Sequence, residues 1–258
     1  MKKVTAFVGT ARKQHTYYAV QRFLEDLRAQ GNVESEIVSL TDYRIETCRG
    51  CKNCFRRGEE FCPLRDDRDV LIQKMTASDG VVFATPNYSY QVSSIMKAFL
   101  DRLGFVFHRP RFFGRTFTSI VAQGIYGGSK IVKYLDFVGM GLGFNVVRGS
   151  CTTALDPMSK KEQTRIDAVT RAHSKRFHAG LLRPQYPVPE LLKVCAFRAA
   201  RTSMRKMLDE SSRDFTYYRE KGWFESDYYY PARLGVMKRA AGALLDSIIA
   251  RTTDKKEC

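Results

Sequence analysis

Gly80-Val81-Val82-Phe83-Ala84-Thr85-Pro86-Asn87-Tyr88-Ser89-Tyr90 is the stretch on which the fold turns. Its first half is an unbroken apolar run of strand length with no polar alternation. That pattern suits a strand covered on both faces, as strands of parallel sheets are. Upstream, Val4-Thr5-Ala6-Phe7-Val8 is a second such run and ends at Gly9. Ala19, Val20, Phe23, Leu24 and Leu27 then recur at helical spacing until Gly31, and Ile37-Val38-Ser39-Leu40 reads as a strand. Val70, Leu71, Lys74 and Met75 predict a short helix with Asp66 and Asp67 as caps. Downstream, residues 93–103 form a helix with Ile95, Met96, Phe99 and Leu103 on one face. Thr118-Ser119-Ile120-Val121-Ala122 and Asn145-Val146-Val147 are the fourth and fifth strands, separated by a helix over 130–140 and followed by a basic helix over 160–182.

Strands alternating with helices predict an α/β fold, a doubly wound five-stranded parallel sheet. In such sheets ligands bind at the carboxyl ends of the strands, where strand order reverses. The loops after Val8, Leu40, Thr85 and Ala122 are therefore the places to search for a site.

The 258 residues are 44% hydrophobic and 27% charged, enough for one full domain and an appendage. No apolar run is long enough to span a membrane. Met1-Lys2-Lys3-Val4 leads into a strand and not into a signal-peptide core, so an intracellular, cytoplasmic protein is expected. The net charge of +16 is concentrated in residues 101–182, where 13 basic side chains face 5 acidic ones. Such a field attracts anions or is simply solvated.

The first loop, Gly9-Thr10-Ala11-Arg12-Lys13-Gln14-His15-Thr16, supplies hydroxyls, cations and an imidazole and ends on a helix N-terminus. That combination suits a phosphate. It holds neither Gly-x-Gly-x-x-Gly nor Gly-Lys-Ser/Thr, which argues against a Rossmann dinucleotide site and a P-loop. The loop after Thr85 offers tyrosines to stack on a planar group. Ala122-Gln123-Gly124-Ile125-Tyr126-Gly127-Gly128 offers backbone that can approach a ring edge.

Gly-Thr-Ala-Arg-Lys…Thr, then Thr-Pro-Asn-Tyr…Met-Lys-Ala-Phe-Leu-Asp-Arg, then Gly-Ile-Tyr-Gly-Gly resembles the flavodoxin-like NAD(P)H-dependent FMN reductases over about residues 3–150. The resemblance implies a flavodoxin-like FMN-binding domain over 1–183 and an FMN cofactor reduced by NAD(P)H. It implies that Thr10, Arg12, Lys13, His15, Thr16 and Tyr17 hold the FMN phosphate. Pro86, Asn87, Tyr88 and Ser89 would border the isoalloxazine and ribityl chain, and Gln123, Gly124, Ile125, Tyr126 and Gly127 its other side. The first loop departs from the family pattern: it is one residue short, and His15 precedes Thr16 where an amide is usual. The expected final acceptor is a quinone, a flavin, a nitro compound or a redox partner. A homodimer or higher assembly is expected.

Cys48, Cys51, Cys54 and Cys62 lie in one short segment, spaced x2, x2 and x7. Four thiolates can ligate a [4Fe–4S] cluster or, with less usual spacing, zinc. Within the family, the segment is similar to that of the iron–sulfur flavoproteins; free thiols beside the site are the competing reading. Cys151, Cys195 and Cys258 are scattered.

Pro184, Pro187 and Pro189 mark a boundary, and residues 184–258 form a mostly helical C-terminal extension. Helices are predicted over 190–208 and 234–250, with an aromatic block around Trp223 between them. Arg198, Arg201 and Arg205 share a face that suits an anionic membrane surface or, preferably, packing over its own domain. His108, His173 and His178 show no metal-ligand spacing, and the basic residues of 160–176 accompany no nucleic-acid motif. Two other functions fit the same residues: a flavodoxin-type electron carrier, and a basic binding module for membrane or nucleic acid.

Overall fold

The structure, a computed structural model, describes residues 1–252; Cys258 lies outside them. The chain divides into two compact units. The first comprises Met1–Arg49 and Leu64–Gln185, and the second Gly50–Pro63 with the described residues from Tyr186 on.

In chain order the elements are β1 (Lys2–Val8), α1 (His15–Arg28), β2 (Val33–Ser39), α2 (Asn53–Arg56), α3 (Arg68–Thr76), β3 (Gly80–Tyr88) and β4 (Gln91–Val92). They continue with α4 (Ser94–Arg102), α5 (Gly104–His108), β5 (Thr116–Gln123), α6 (Gly128–Gly141), β6 (Asn145–Val146), β7 (Ser150–Thr153), α7 (Lys160–Leu181), α8 (Leu191–Met207), α9 (Arg213–Glu220) and α10 (Val236–Thr252).

The first unit is built on a sheet of order β2-β1-β3-β5-β6. β1 pairs in parallel with β2 and β3, and β3 with β5. Strand order reverses between β1 and β3, as in the flavodoxin arrangement. The sheet has seven strands and not the expected five. The predicted fifth strand, Asn145–Val147, is shortened to Asn145 and Val146, which pair with Thr116 and Phe117, and after 147–149 a strand not anticipated, Ser150–Thr153, pairs with Ile120–Gln123. The break is anchored by Asp136 of α6, which accepts from the Gly149 amide at 3.2 Å and the Ser119 hydroxyl at 3.3 Å. The seventh strand is β4, a two-residue antiparallel return on β3.

One face of the sheet packs Val4, Ala6, Val8, Val82, Ala84 and Ile120 against Phe23, Leu24, Leu27, Ile166 and Phe177 of α1 and α7. The other face carries Phe7, Phe83 and Phe117 in edge-on contact, with Phe99 of α4 stacked on Phe7 at 5.8 Å. These residues alternate along β1 and β3, so both faces are apolar, which accounts for the unbroken apolar runs. Asp66 and Asp67 are not the simple side-chain caps expected. Asp67 accepts from the Arg44 amide at 2.7 Å, and Asp66 pairs with Arg102.

In the second unit, Arg198 of α8 is ion-paired to Asp227 and Asp246, Arg201 to Asp246, and Arg205 to Glu225. The basic face is thus folded into the unit's own carboxylates. The aromatic block contains a helix not anticipated, α9, and Trp223 packs between Tyr218 and Tyr229 at 4.9 and 4.8 Å. Phe55, after Cys54 on α2, accepts the Ser212 hydroxyl through its carbonyl at 3.4 Å. No helix among the described residues is long and apolar enough to cross a membrane.

Candidate functional site

Three loops at the carboxyl ends of β1, β3 and β5 converge because the strands they follow are neighbours. The first two are tied through Ser93, the N-cap of α4. Its hydroxyl accepts from the Met96 amide at 3.1 Å and donates to the Gly9 carbonyl at 2.5 Å. Gly9 itself is required by close approach: a Cβ there would sit 2.7 Å from that of Met96. The second and third loops are tied by Asn87, whose Nδ2 donates to the Tyr126 carbonyl at 2.9 Å, and by the Tyr90 and Tyr126 hydroxyls at 2.6 Å.

Between them lies a cleft of about 210 Å³. Thr10, Arg12, His15, Thr16, Pro86, Asn87, Tyr88, Gln123 and Gly124, nine of the expected site residues, line it. Lys13, Tyr17, Ser89, Ile125, Tyr126 and Gly127 do not line it. Tyr17, on α1, is half-buried against the core, with Lys13 5.7 Å from its ring centre. Ser89 occupies the β3–β4 turn, Tyr126 acts through its carbonyl and hydroxyl on the neighbouring loop, and Gly127 starts α6 at φ 95°.

One end of the cleft is made by α1. Its N-cap, Gln14, makes no side-chain capping bond and the first turn has no acidic residue. The first-turn amides therefore lack a side-chain cap, and with the helix dipole they favour an anion. Thr10 and Thr16 are buried there, and Arg12 is an exposed lining residue. The Tyr88 hydroxyl and, less strongly, Asp156 hold the Arg12 guanidinium above its ordinary pKa, so it is a fixed cation.

A family model described as NADPH-dependent FMN reductase matches residues 2–155. The chain belongs to that family. As an FMN reductase it is an NAD(P)H-dependent FMN oxidoreductase. It is similar to an iron–sulfur flavoprotein of Archaeoglobus fulgidus, 28% identical over 162 residues that make 60% of this chain and 79% of that one. It is also similar to an iron–sulfur flavoprotein of Clostridioides difficile, 25% identical over 211 residues, 79% of this chain and 90% of that one. Among solved structures, RosB with a bound 8-demethyl-8-formylriboflavin-5'-phosphate aligns at TM-score 0.58 and 14% identity over 92% of each chain. The NAD(P)H:quinone oxidoreductase from Methanothermobacter marburgensis aligns at TM-score 0.53 and 15% identity, over 67% of this chain and 98% of that one. At those identities the two structures establish the fold.

In this FMN reductase the donor set fits a phosphorylated planar cofactor on two observations. The α1 amides, with Thr10, Arg12 and Thr16, form an anion cradle. Pro86, Asn87 and Tyr88 of the β3 loop and Gln123 and Gly124 of the β5 loop line the rest of the cleft, as walls for a planar ring. Five further residues line it: Gln14 and Ala122, within the loops already named, and Ala154, Leu155 and Asp156, which were not anticipated. The last three follow β7, a further parallel strand with its carboxyl end at the site. Because Ser150-Cys151-Thr152-Thr153 is polar, its sequence does not read as a buried strand. Their turn is held by Glu162, which accepts from the amides of Leu155 at 2.9 Å and Ser159 at 2.8 Å. Those bonds, with the Ser159 hydroxyl foremost, pull the Glu162 carboxyl down to about 2.

Gln123 is used up in holding its own loop. Its Oε1 accepts from the Gly128 amide at 2.6 Å, and its Nε2 donates to the Thr153 hydroxyl at 2.9 Å. Burial pushes the Cys151 thiol up to about 11, which keeps it protonated and unreactive. Of the cysteine segment, Cys48 and Cys51 are exposed, Cys54 half-buried and Cys62 buried. Among the described residues no three Cys, His, Asp or Glu side chains gather to hold a metal ion.

Proposed function

We propose that the cleft holds FMN with its phosphate at the α1 N-terminus and its ring between the β3 and β5 loops, and that NAD(P)H reduces it for delivery of electrons to a small planar acceptor such as a quinone. The observation that carries this reading is the pairing, in one cleft, of an uncapped helix N-terminus with walls from two further strand-end loops. FMN, when bound, supplies the hydride-accepting and electron-releasing chemistry.

The chain's own residues bind and orient. Thr10, Arg12, His15 and Thr16 surround the phosphate end; Arg12 and the helix dipole supply its positive field. Pro86, Asn87 and Tyr88 form one wall, and Gln123 and Gly124 the other. Tyr88 and Leu155 are exposed lining residues, beside the charged Arg12 and Asp156, and Tyr90, Ile125 and Tyr126 are exposed on the adjoining loops. The exposed tyrosines and Leu155 offer an aromatic acceptor apolar surface.

The absorption spectrum of the purified protein tests this directly. A yellow protein that bleaches on anaerobic addition of NADH or NADPH and regains colour with a quinone supports the reading. A colourless protein that FMN does not reconstitute overturns it.

A second station, an iron–sulfur centre on Cys48, Cys51, Cys54 and Cys62, is supported by their spacing and by the names of the relatives. Stoichiometric iron and acid-labile sulfide in anaerobically purified protein would support the centre, and background iron would end it.

A further inference from the structure

The second unit leaves large apolar side chains in water at one of its ends. In it, α8 and α10 lie side by side and run in the same direction. Lys238 Nζ, in the first turn of α10, donates to the carbonyl of Pro189, just before α8, at 2.7 Å. Further along, Arg198 Nε donates to Asp246 at 2.7 Å, and near the far ends the Lys206 ammonium reaches the Ala250 carbonyl. Both helices therefore begin at the same end, and each begins with an apolar pair, Leu191-Leu192 and Val236-Met237. All four side chains are exposed, Leu192 by 81%, Val236 by 75% and Met237 by 86%. Val188, next to the Pro189 that Lys238 holds, is exposed as well.

Single exposed apolar residues are ordinary, but a group of them at one end of a unit is a patch that water disfavours. Cations surround this one. Lys193 lies in the first turn of α8, Lys238 and Arg239 in the first turn of α10, and Arg233 shortly before α10. The nearby carboxylate of Glu190 is 3.9 Å from Lys193. Neither helix has an acidic side chain in its first turn, so both dipoles add positive potential at that end. Asp246, further along α10, is taken by Arg198 and Arg201.

Apolar side chains ringed by cations call for a partner that is anionic at its surface and apolar just beneath. A second copy of the chain is a poor match, because a two-fold contact would set the same cations of both chains against one another. A bilayer with acidic headgroups offers both layers in the right order. The chain's net charge of +16 favours a partner of that sign. We propose that this end of the second unit docks on an anionic lipid surface. Leu192, Val236 and Met237 enter the boundary between headgroups and acyl chains, and Arg233 and Arg239 lie on the lipid phosphates. The surface is separate from the arginine face of α8, which the unit's own carboxylates occupy. It does not depend on the flavin reading.

Co-sedimentation of the full-length protein with vesicles tests this, using phosphatidylcholine alone and phosphatidylcholine mixed with phosphatidylglycerol. Wild type is expected to pellet with the mixed vesicles, to stay in solution with phosphatidylcholine alone, and to bind less as salt is raised. Charge alone would draw so basic a chain to anionic lipid, so the deciding variant is apolar. Leu192→Ser with Met237→Ser leaves the charge unchanged and is expected to bind the mixed vesicles about tenfold more weakly or worse. Its urea midpoint should match wild type, since both side chains stand in water. Arg239→Gln should cost about fivefold, and Lys160→Gln, on the first unit's α7, much less. Wild type that ignores both vesicles, a double variant that binds like wild type, or equal losses for Arg239→Gln and Lys160→Gln would each overturn the proposal. A solution dimer that the double variant abolishes would also overturn it, by giving the patch to a second copy.

Discussion

Arg102 and Asp66 meet as a buried two-pronged ion pair, Nε to Oδ2 at 2.8 Å and Nη2 to Oδ1 at 2.9 Å, with side chains 4% and 2% exposed. Burial works against the Asp66 charge, but Arg102 and the amides of Glu46 and Arg68 outweigh it and hold the carboxyl below its ordinary range. The pair fixes the last turn of α4 to the segment leading into α3. Arg102→Met leaves a buried carboxylate without its partner and should destabilise the protein by about 3–5 kcal/mol in urea unfolding. Adding Asp66→Asn should recover part of that loss. An unchanged midpoint in the single variant would show the pair to be energetically idle.

Arg12 should matter to phosphate and not to the ring. Arg12→Ala is expected to weaken FMN binding by about tenfold or more, since charge-assisted bonds are the stronger class. Riboflavin, which has the ring and no phosphate, should bind both proteins alike. Equal losses for the two ligands would remove Arg12 from the phosphate end.

Glu162 makes the Leu155–Ser159 turn sensitive to acid. Its carboxyl is depressed from 4.5 to about 2 in the folded chain. A depressed acid contributes its stability fully above the unfolded value and loses it as pH falls toward the folded one. The stability gap between wild type and Glu162→Gln should therefore be widest above pH 4.5 and close as pH falls toward 2. Denaturant titrations at several pH values measure it, and a gap independent of pH would contradict the capping role.

His173 acts over a higher range. It is fully buried, with Thr118 and Ser150 hydroxyls each 2.7 Å from a ring nitrogen and Phe23 at 4.8 Å. Burial, with a smaller contribution from Arg176, pulls its pKa from 6.5 down to about 3. Between those values the unfolded chain binds the extra proton, so stability should fall as pH drops from 6.5 toward 3. His173→Gln is expected to be less stable at neutral pH yet to show a shallower pH slope in that window. An identical slope would place the titration elsewhere.

Much of the first unit was legible because its strands are apolar on both faces. Val4–Val8 and Gly80–Ala84 have no other stable use, and the loops behind them had to be strand ends. The edge was harder to read. Ser150-Cys151-Thr152-Thr153 sits in a strand only because β5 offers it a partner, and no local pattern marks it. That is why Ala154, Leu155 and Asp156 were missed as lining residues. The resemblance carries Tyr17 to the phosphate end, but one step along a helix from Thr16 turns a side chain by about 100°, and Tyr17 lies half-buried against the core and outside the cleft lining. The aromatic block hid α9 because Tyr217, Tyr218, Trp223 and Phe224 owe their order to one another and not to a helical stripe.

The second unit is stitched from two pieces of chain, and that constrains how the protein can be shortened or recombined. α2 and its flanks, residues 50–63, belong with the helices that follow Tyr186, and Ser212 beside α9 reaches the Phe55 carbonyl. Cutting the chain after Pro184 would not remove a self-contained tail. It would strand the segment 50–63 from its neighbours and remove the Ser212 hydroxyl that the Phe55 carbonyl accepts. Exchange of C-terminal regions between relatives should succeed only when the cysteine segment travels with them.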